Sequence, residues 1–254
     1  MITVQSIYNA LCEIAPLEIA VPGDRVGFLV GRAEQSITKV LFALDITDDV
    51  IAEARDWGAR LIVAHHPVFF TLEDVTGSDR SGKTVLHLAE AGIAAVCMHT
   101  NLDAAEGGVN DALAAALGLR KISRFCADGC GRAGVLDAPV GVADFAARCK
   151  AALGSGVVRY HDVGKPVENV CVASGSGFNA FAEARAWGAD TFVCGEAKHS
   201  AFLDAAHAGI NLLDCGHYAT EVIGFHTLLP TLKKRFADIE FRLSERQKEP
   251  YQCI

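Results

Sequence analysis

Short apolar runs alternate with amphipathic segments along the first half of the chain. Apolar side chains at Val4, Ile7, Tyr8, Leu11 and Ile14 recur at helical spacing, and Pro16 closes the segment, so residues 4–15 should form a helix. The glycine-punctuated segment 23–31 reads as loop and short strand. Residues 39–44 read as a strand ending at Asp45, and 48–57 as a helix with Thr47 or Asp48 as N-cap and Gly58 as stop. The run Leu61-Ile62-Val63-Ala64 then leads into His65-His66-Pro67. Neighbouring strand residues point to opposite faces, so two adjacent histidines can converge only where the strand stops, and Pro67 supplies the stop. Residues 84–90 read as helix, 93–98 as a buried strand opening onto His99, and 109–117 as an alanine-rich helix after Gly107-Gly108. Strand and helix in alternation predict a parallel sheet covered by helices.

The second half repeats the first. Glu53-Ala54-Arg55-Asp56-Trp57-Gly58-Ala59 recurs as Glu183-Ala184-Arg185-Ala186-Trp187-Gly188-Ala189, and both tryptophans of the chain fall in this repeat. The expectation is an α/β fold of two related lobes from an internal duplication, residues 1–125 and 126–254. A pseudo-twofold axis would bring equivalent strand ends near one another. His65-His66 maps onto Gly195-Glu196, and the strand end at His99 onto Gly216-His217, so polar, ligand-capable residues gather at equivalent strand ends in both copies.

Composition narrows the class. A 51% hydrophobic chain without low-complexity tracts is ordered and globular. A net charge of -8 argues against a general nucleic-acid surface. No apolar run reaches membrane-spanning length, and the N-terminus lacks the pattern of a secretory signal, which predicts a cytoplasmic protein. The nine cysteines are scattered and mostly inside apolar runs, as reduced core thiols would be; Cys126 and Cys130 form a close pair that no second pair completes into a metal site.

The candidate chemistry lies in His65, His66, Asp103, His217 and Glu221. His217 and Glu221 stand four residues apart, as do His99 and Asp103, a spacing that puts two side chains on one helix face. Either pair alone is common on a solvated helix. The five together exceed what one metal takes. They suit two divalent ions, zinc, manganese, iron, cobalt or nickel, sharing a bridging hydroxide at neutral pH. His99 and Glu196 are then acid–base or ligand-supporting candidates, and Lys198 and His199 candidates for holding an anionic substrate. Residues 77–84 also fit G-x-x-x-x-G-K-[ST], but the acidic stretch before them does not read as the strand a phosphate-binding loop needs.

Several of these segments occur together in the Nif-three-like, or YbgI-like, family, many of whose members carry the label GTP cyclohydrolase I type 2 homologue. They are His65-His66-Pro67, His99-Thr100-Asn101-Leu102-Asp103, Gly107-Gly108-Val109-Asn110, Gly131-Arg132-Ala133-Gly134, Gly175-Ser176-Gly177, Gly195-Glu196-Ala197-Lys198-His199 and Gly216-His217-Tyr218-Ala219-Thr220-Glu221. The chain resembles that family over nearly its whole length. The family's usual tryptophan near Asp24 is missing. The resemblance implies a dinuclear metal centre between two α/β domains, a ring-shaped homohexamer, and the same five ligands. On this footing the expected function is a metal-dependent hydrolase acting on a nucleotide or related metabolite. A non-enzymatic metal-binding scaffold or regulator is the second reading, and a nucleotidase using residues 77–84 the third.

Overall fold

The computed structural model describes residues 1–252. The chain runs through α1 (Val4–Ile14), β1 (Gly27–Val30), β2 (Lys39–Ala43), α2 (Asp48–Trp57), β3 (Leu61–Ala64), α3 (Arg80–Ala91), β4 (Ala94–Cys97) and α4 (Thr100–Ala104). It continues with α5 (Val109–Ala116), β5 (Arg120–Arg124), β6 (Arg132–Val140), α6 (Val142–Leu153), β7 (Arg159–His161) and β8 (Val167–Ala173). Then come α7 (Phe181–Trp187), β9 (Thr191–Cys194), α8 (His199–Ala208), β10 (Asn211–Asp214), α9 (His217–Arg235) and β11 (Glu240–Leu243). Two compact units result: Met1–Glu106 with Phe225–Glu249, and Gly107–Gly224 with residues 250–252. This division differs from a cut at 125/126. Strand β5 pairs with β6 and so belongs to the second unit, and β11 pairs with β2, which returns the C-terminal stretch to the first unit.

In the first unit the sheet order is β1-β4-β3-β2-β11. Strands β11, β2, β3 and β4 are parallel, and β1 runs antiparallel along β4. Alternate residues serve opposite faces. Leu41, Ala43, Ile62, Ala64 and Ala95 pack on Val50, Ile51 and Ala54 of α2 and Leu88 of α3. On the other face Phe42 meets Phe225 edge-on at 5.4 Å between ring centroids and Phe241 at 6.2 Å. Helix α2 begins where Thr47 Oγ1 accepts the Val50 amide and ends at Gly58, whose φ of +85° a side chain would resist.

In the second unit the order is β5-β6-β8-β9-β10-β7, with β8, β9 and β10 parallel and the other three strands antiparallel to their neighbours. Val170, Val172, Val193 and Leu213 pack with Phe145, Cys149 and Leu153 of α6 and Leu113 of α5. Cys171, Phe192, Cys194 and Leu212 face Phe181 and Ala184 of α7 and Ala201 and Ala205 of α8. Fully buried side chains the size of Phe145 or Phe192 each contribute about 1.5–3 kcal/mol over exposure.

The fold is α/β, but both sheets are mixed rather than parallel. The antiparallel members β1, β5, β6 and β7 lie at or next to a sheet edge. All five residues of β5 are exposed, and β7 has three residues, so neither carries an apolar run that a periodicity reading could detect. Among the described residues no helix is long and apolar enough to cross a membrane. The eight cysteines described are free thiols.

Candidate functional site

In the first unit the C-terminal ends of three adjacent parallel strands supply the polar residues. Strand β3 stops at Ala64, yet the His65 and His66 amides still bond to Ala43 O and Leu44 O, so the backbone beside β2 holds both histidines. The His65 ring is buried, and its Nδ1 lies 2.9 Å from Met98 O. A carbonyl only accepts, so Nδ1 carries the proton and the lone pair sits on Nε2. His66 Nδ1 lies 3.0 Å from Asp45 Oδ1, and His99 Nδ1 lies 2.9 Å from each Asp24 oxygen. Ionised carboxylates also only accept, so all three rings are fixed in the tautomer that offers Nε2. Ring centroids are 5.2–5.6 Å apart. One ring nitrogen from each of His65, His66 and His99 falls within 4.8 Å of the other two, a group that could hold a metal ion.

Asp103, on α4 and buried, places Oδ1 3.6 Å from His65 Nε2. Asp24 fixes the start of α4, accepting the Thr100 amide at 3.1 Å and its hydroxyl at 2.5 Å. Burial works to raise the Asp24 carboxyl, but the bonds from Thr100 and His99 overcome it and leave it below the ordinary carboxylate value. Burial pushes His99 down, and neighbouring His65 adds to this; the Asp24 charge opposes the fall without reversing it. His99 is therefore a neutral ring at pH 7. Beside it, Cys97 donates its thiol to His65 O, and burial pushes that thiol up.

In the second unit the polar residues follow the C-terminal ends of β8, β9 and β10. His217 opens α9; its Nε2 is 2.9 Å from Glu221 Oε2 one turn on, and its Nδ1 is 3.0 Å from Glu196 Oε1. Glu221 is buried, whereas Glu196 is exposed. Ser176 donates to Glu196 Oε2 at 2.6 Å, and that bond holds the Glu196 carboxyl below its usual value against burial, with the nearby His217 adding to the effect. Gly175, after β8, is in the left-handed region at φ +54°, and a Cβ there would fall inside the Glu221 carboxylate and 3.2 Å from His217 Nε2. Its carbonyl accepts the amides of Gly195 and Glu196, and its amide donates to Thr220 Oγ1. Asp214, the last residue of β10, accepts the Ala197 and Gly216 amides and the Arg159 guanidinium, tying together the two loops that carry Glu196 and His217.

His65, His66, Asp103 and His99 thus share one polar cluster in the first unit, and His217, Glu221 and Glu196 share another in the second. Lys198 and His199 stand exposed at the start of α8. Sequence reasoning missed the partners Asp24 and Asp214, and it treated Asp45 only as the end of a strand. Asp45 and Asp214 carried a usable signal, since each is a carboxylate at the C-terminal end of a buried parallel strand. Asp24 carried none: it lies 75 residues from His99, with no shared spacing or element.

Two other motifs take structural roles. No strand precedes Gly77; Asp79 caps α3, which begins at Arg80 inside the motif, and Lys83 donates to Asp48 Oδ2 at 2.8 Å. Residues 77–84 therefore form a capped helical turn, not a phosphate-cradling loop. Burial, aided by Asp128, pushes the Cys126 thiol up to about 12, and among the described residues Cys126 and Cys130 belong to no group of three that could hold a metal ion.

A family model described as Duf34/NIF3 (NGG1p interacting factor 3) matches residues 2–250. A Clostridium perfringens protein named GTP cyclohydrolase 1 type 2 homolog is 33% identical over 257 residues, covering 98% of both chains. The crystal structure of a Staphylococcus aureus hypothetical protein superimposes with a TM-score of 0.92 at 27% identity, covering 99% of each chain. A Bacillus cereus protein related to NIF3 superimposes equally well, TM-score 0.92 over 100% of this chain and 99% of that one; at 21% identity it speaks for the fold alone.

Proposed function

Since this chain belongs to the Duf34/NIF3 family, we propose that its two polar clusters serve one dinuclear divalent-metal centre, with His65, His66, Asp103, His217 and Glu221 as ligands. The observation that carries this reading is the fixed tautomer of the first cluster. Each of three packed imidazoles commits Nδ1 to an oxygen acceptor and offers Nε2, the arrangement in which histidine binds metal. The donor set fits the proposed ions: imidazole nitrogens and buried carboxylates suit zinc, manganese, iron, cobalt or nickel. Neither cluster alone offers all five ligands. The repeated segment supports a duplicated origin, in which equivalent strand ends contribute to a shared site.

The proposed activity is hydrolysis of a nucleotide or related metabolite. Divalent ions bound there would polarise a substrate oxygen and activate a water molecule. The chain's own residues would do the rest. Asp24 and Asp45 orient the His99 and His66 rings, Gly175 leaves room for the Glu221 carboxylate, and Asp214 holds the loops of Glu196 and His217. Glu196, exposed and ionised beside His217, is the group placed to exchange a proton with a substrate. Assembly into a homohexamer is part of the same proposal, read by light scattering.

The test is a hydrolase screen on protein loaded with each candidate metal, with GTP among the substrates because of the relative's name. Turnover that disappears in His66→Ala is the expected result. Metal binding without turnover of any substrate would move the assignment to a metal-binding scaffold or regulator.

A further inference from the structure

The loop after His66 carries two consecutive phenylalanines that the fold treats differently. Phe69 is 8% exposed and lies under the Arg25 guanidinium, 5.4 Å from its ring centroid. Phe70 is 64% exposed, with its ring centroid 6.0 Å from that of His99 at an interplanar angle of 66°. Phe69 anchors the loop, so Phe70 has no packing duty that would explain an aromatic side chain. It presents most of a flat apolar ring to solvent beside the three histidines. Cationic groups flank the same cluster. Arg80, 77% exposed, has Nη2 3.6 Å from Asp45 Oδ1, the oxygen that holds His66, and Arg25 follows Asp24, which holds His99. In a chain of net charge -8, guanidiniums at this spot are suited to an anion.

We infer that Phe70 is a specificity-determining residue whose exposed ring stacks against the planar heteroaromatic ring of a phosphorylated substrate, as in a mononucleotide. This rests on the proposed metal-dependent activity at the neighbouring histidines and narrows its substrate class. A π-face accepts any nucleobase, because stacking needs a flat ring and no particular hydrogen-bond pattern. The His99 imidazole, tilted 66° to Phe70 at 6.0 Å, restrains the ring, which stays 64% exposed.

The test is calorimetric titration of the full chain with guanosine monophosphate and, as a ring-less control, ribose 5-phosphate, on wild type, Phe70→Ala and Phe70→Tyr. Metal content and molar mass are recorded on the same samples. Base–aromatic stacking is worth about 1–3 kcal/mol, so Phe70→Ala should weaken guanosine monophosphate about 5- to 150-fold. Phe70→Tyr should restore affinity, and ribose 5-phosphate should bind all three alike. The inference is overturned if the wild type does not bind the nucleotide, if Phe70→Ala binds it unchanged, or if both probes weaken together. A change in molar mass with unchanged nucleotide affinity would overturn it too, marking Phe70 as a contact between copies. Absence of metal from every sample would count against the metal assignment alone, since ring stacking is read separately by the two probes.

Discussion

Replacing Gly175 by alanine should damage the second cluster more than its backbone angle explains. Two effects add. The position has φ +54°, and an L side chain there costs about 1–2 kcal/mol. The new Cβ would also occupy the place of the Glu221 carboxylate, which must then swing away from His217. Displacing a buried carboxylate from its partner adds about 1–3 kcal/mol, for a sum of about 2–5 kcal/mol. Gly58 separates the two effects. Its φ is +85° with nothing within 4 Å of an added Cβ, so Gly58→Ala carries the strain without the clash. Urea unfolding should place Gly58→Ala about 1–2 kcal/mol below wild type and Gly175→Ala clearly lower. Zinc affinity should be unchanged in Gly58→Ala and reduced about 10- to 100-fold in Gly175→Ala, as for loss of a ligand-supporting contact. Equal stability and equal metal affinity in the two variants would refute the argument that Gly175 exists to admit Glu221.

Three further outcomes are expected. Burial works to raise the Glu53 carboxyl, but it accepts the Glu245 and Arg246 amides and the Ser244 hydroxyl and ends below its ordinary value. Its stabilisation, about 1–2 kcal/mol after solvent screening, is therefore complete above the unfolded carboxyl value and lost as pH falls through the folded one; Glu53→Gln should flatten the acid side of a stability–pH curve. Asp214→Ala should cost about 2–4 kcal/mol in chemical denaturation and speed hydrogen exchange at the Ala197 and Gly216 amides, whose acceptor it removes; unchanged exchange there would contradict its role between the two loops. Lys83→Ala should leave nucleotide affinity unaltered, since Lys83 pairs with Asp48 on a helix rather than facing a phosphate, and a large loss would revive the motif at 77–84.

The legible parts of this fold were those that pack on both faces. Strands β2, β3 and β4 and helices α1, α2 and α5 are apolar runs or amphipathic stripes with caps, and their bounds agreed within a residue or two. Strand β5 reads Arg-Lys-Ile-Ser-Arg and is wholly exposed, so its strand state depends on pairing with β6, which no local pattern records. Pairing of β11 with β2 joins segments near opposite ends of the chain, and Phe225 of α9 packs on Phe42 for the same long-range reason. At the site the histidines were readable because His65-His66-Pro67 must sit where a strand stops. Asp24 was not, because an acid between glycine and arginine in a loop is ordinary until the fold sets it against His99. Helix α3 began earlier than its apolar spacing suggested, since Asp79 caps a polar first turn.

The most direct measurement is metal stoichiometry by elemental analysis of wild type, His66→Ala and Glu221→Ala after identical reconstitution. One variant alters the first unit and the other the second. If the proposed centre takes ligands from both clusters, wild type holds about two divalent ions per chain and both variants lose metal. Full metal content in either variant would contradict the account.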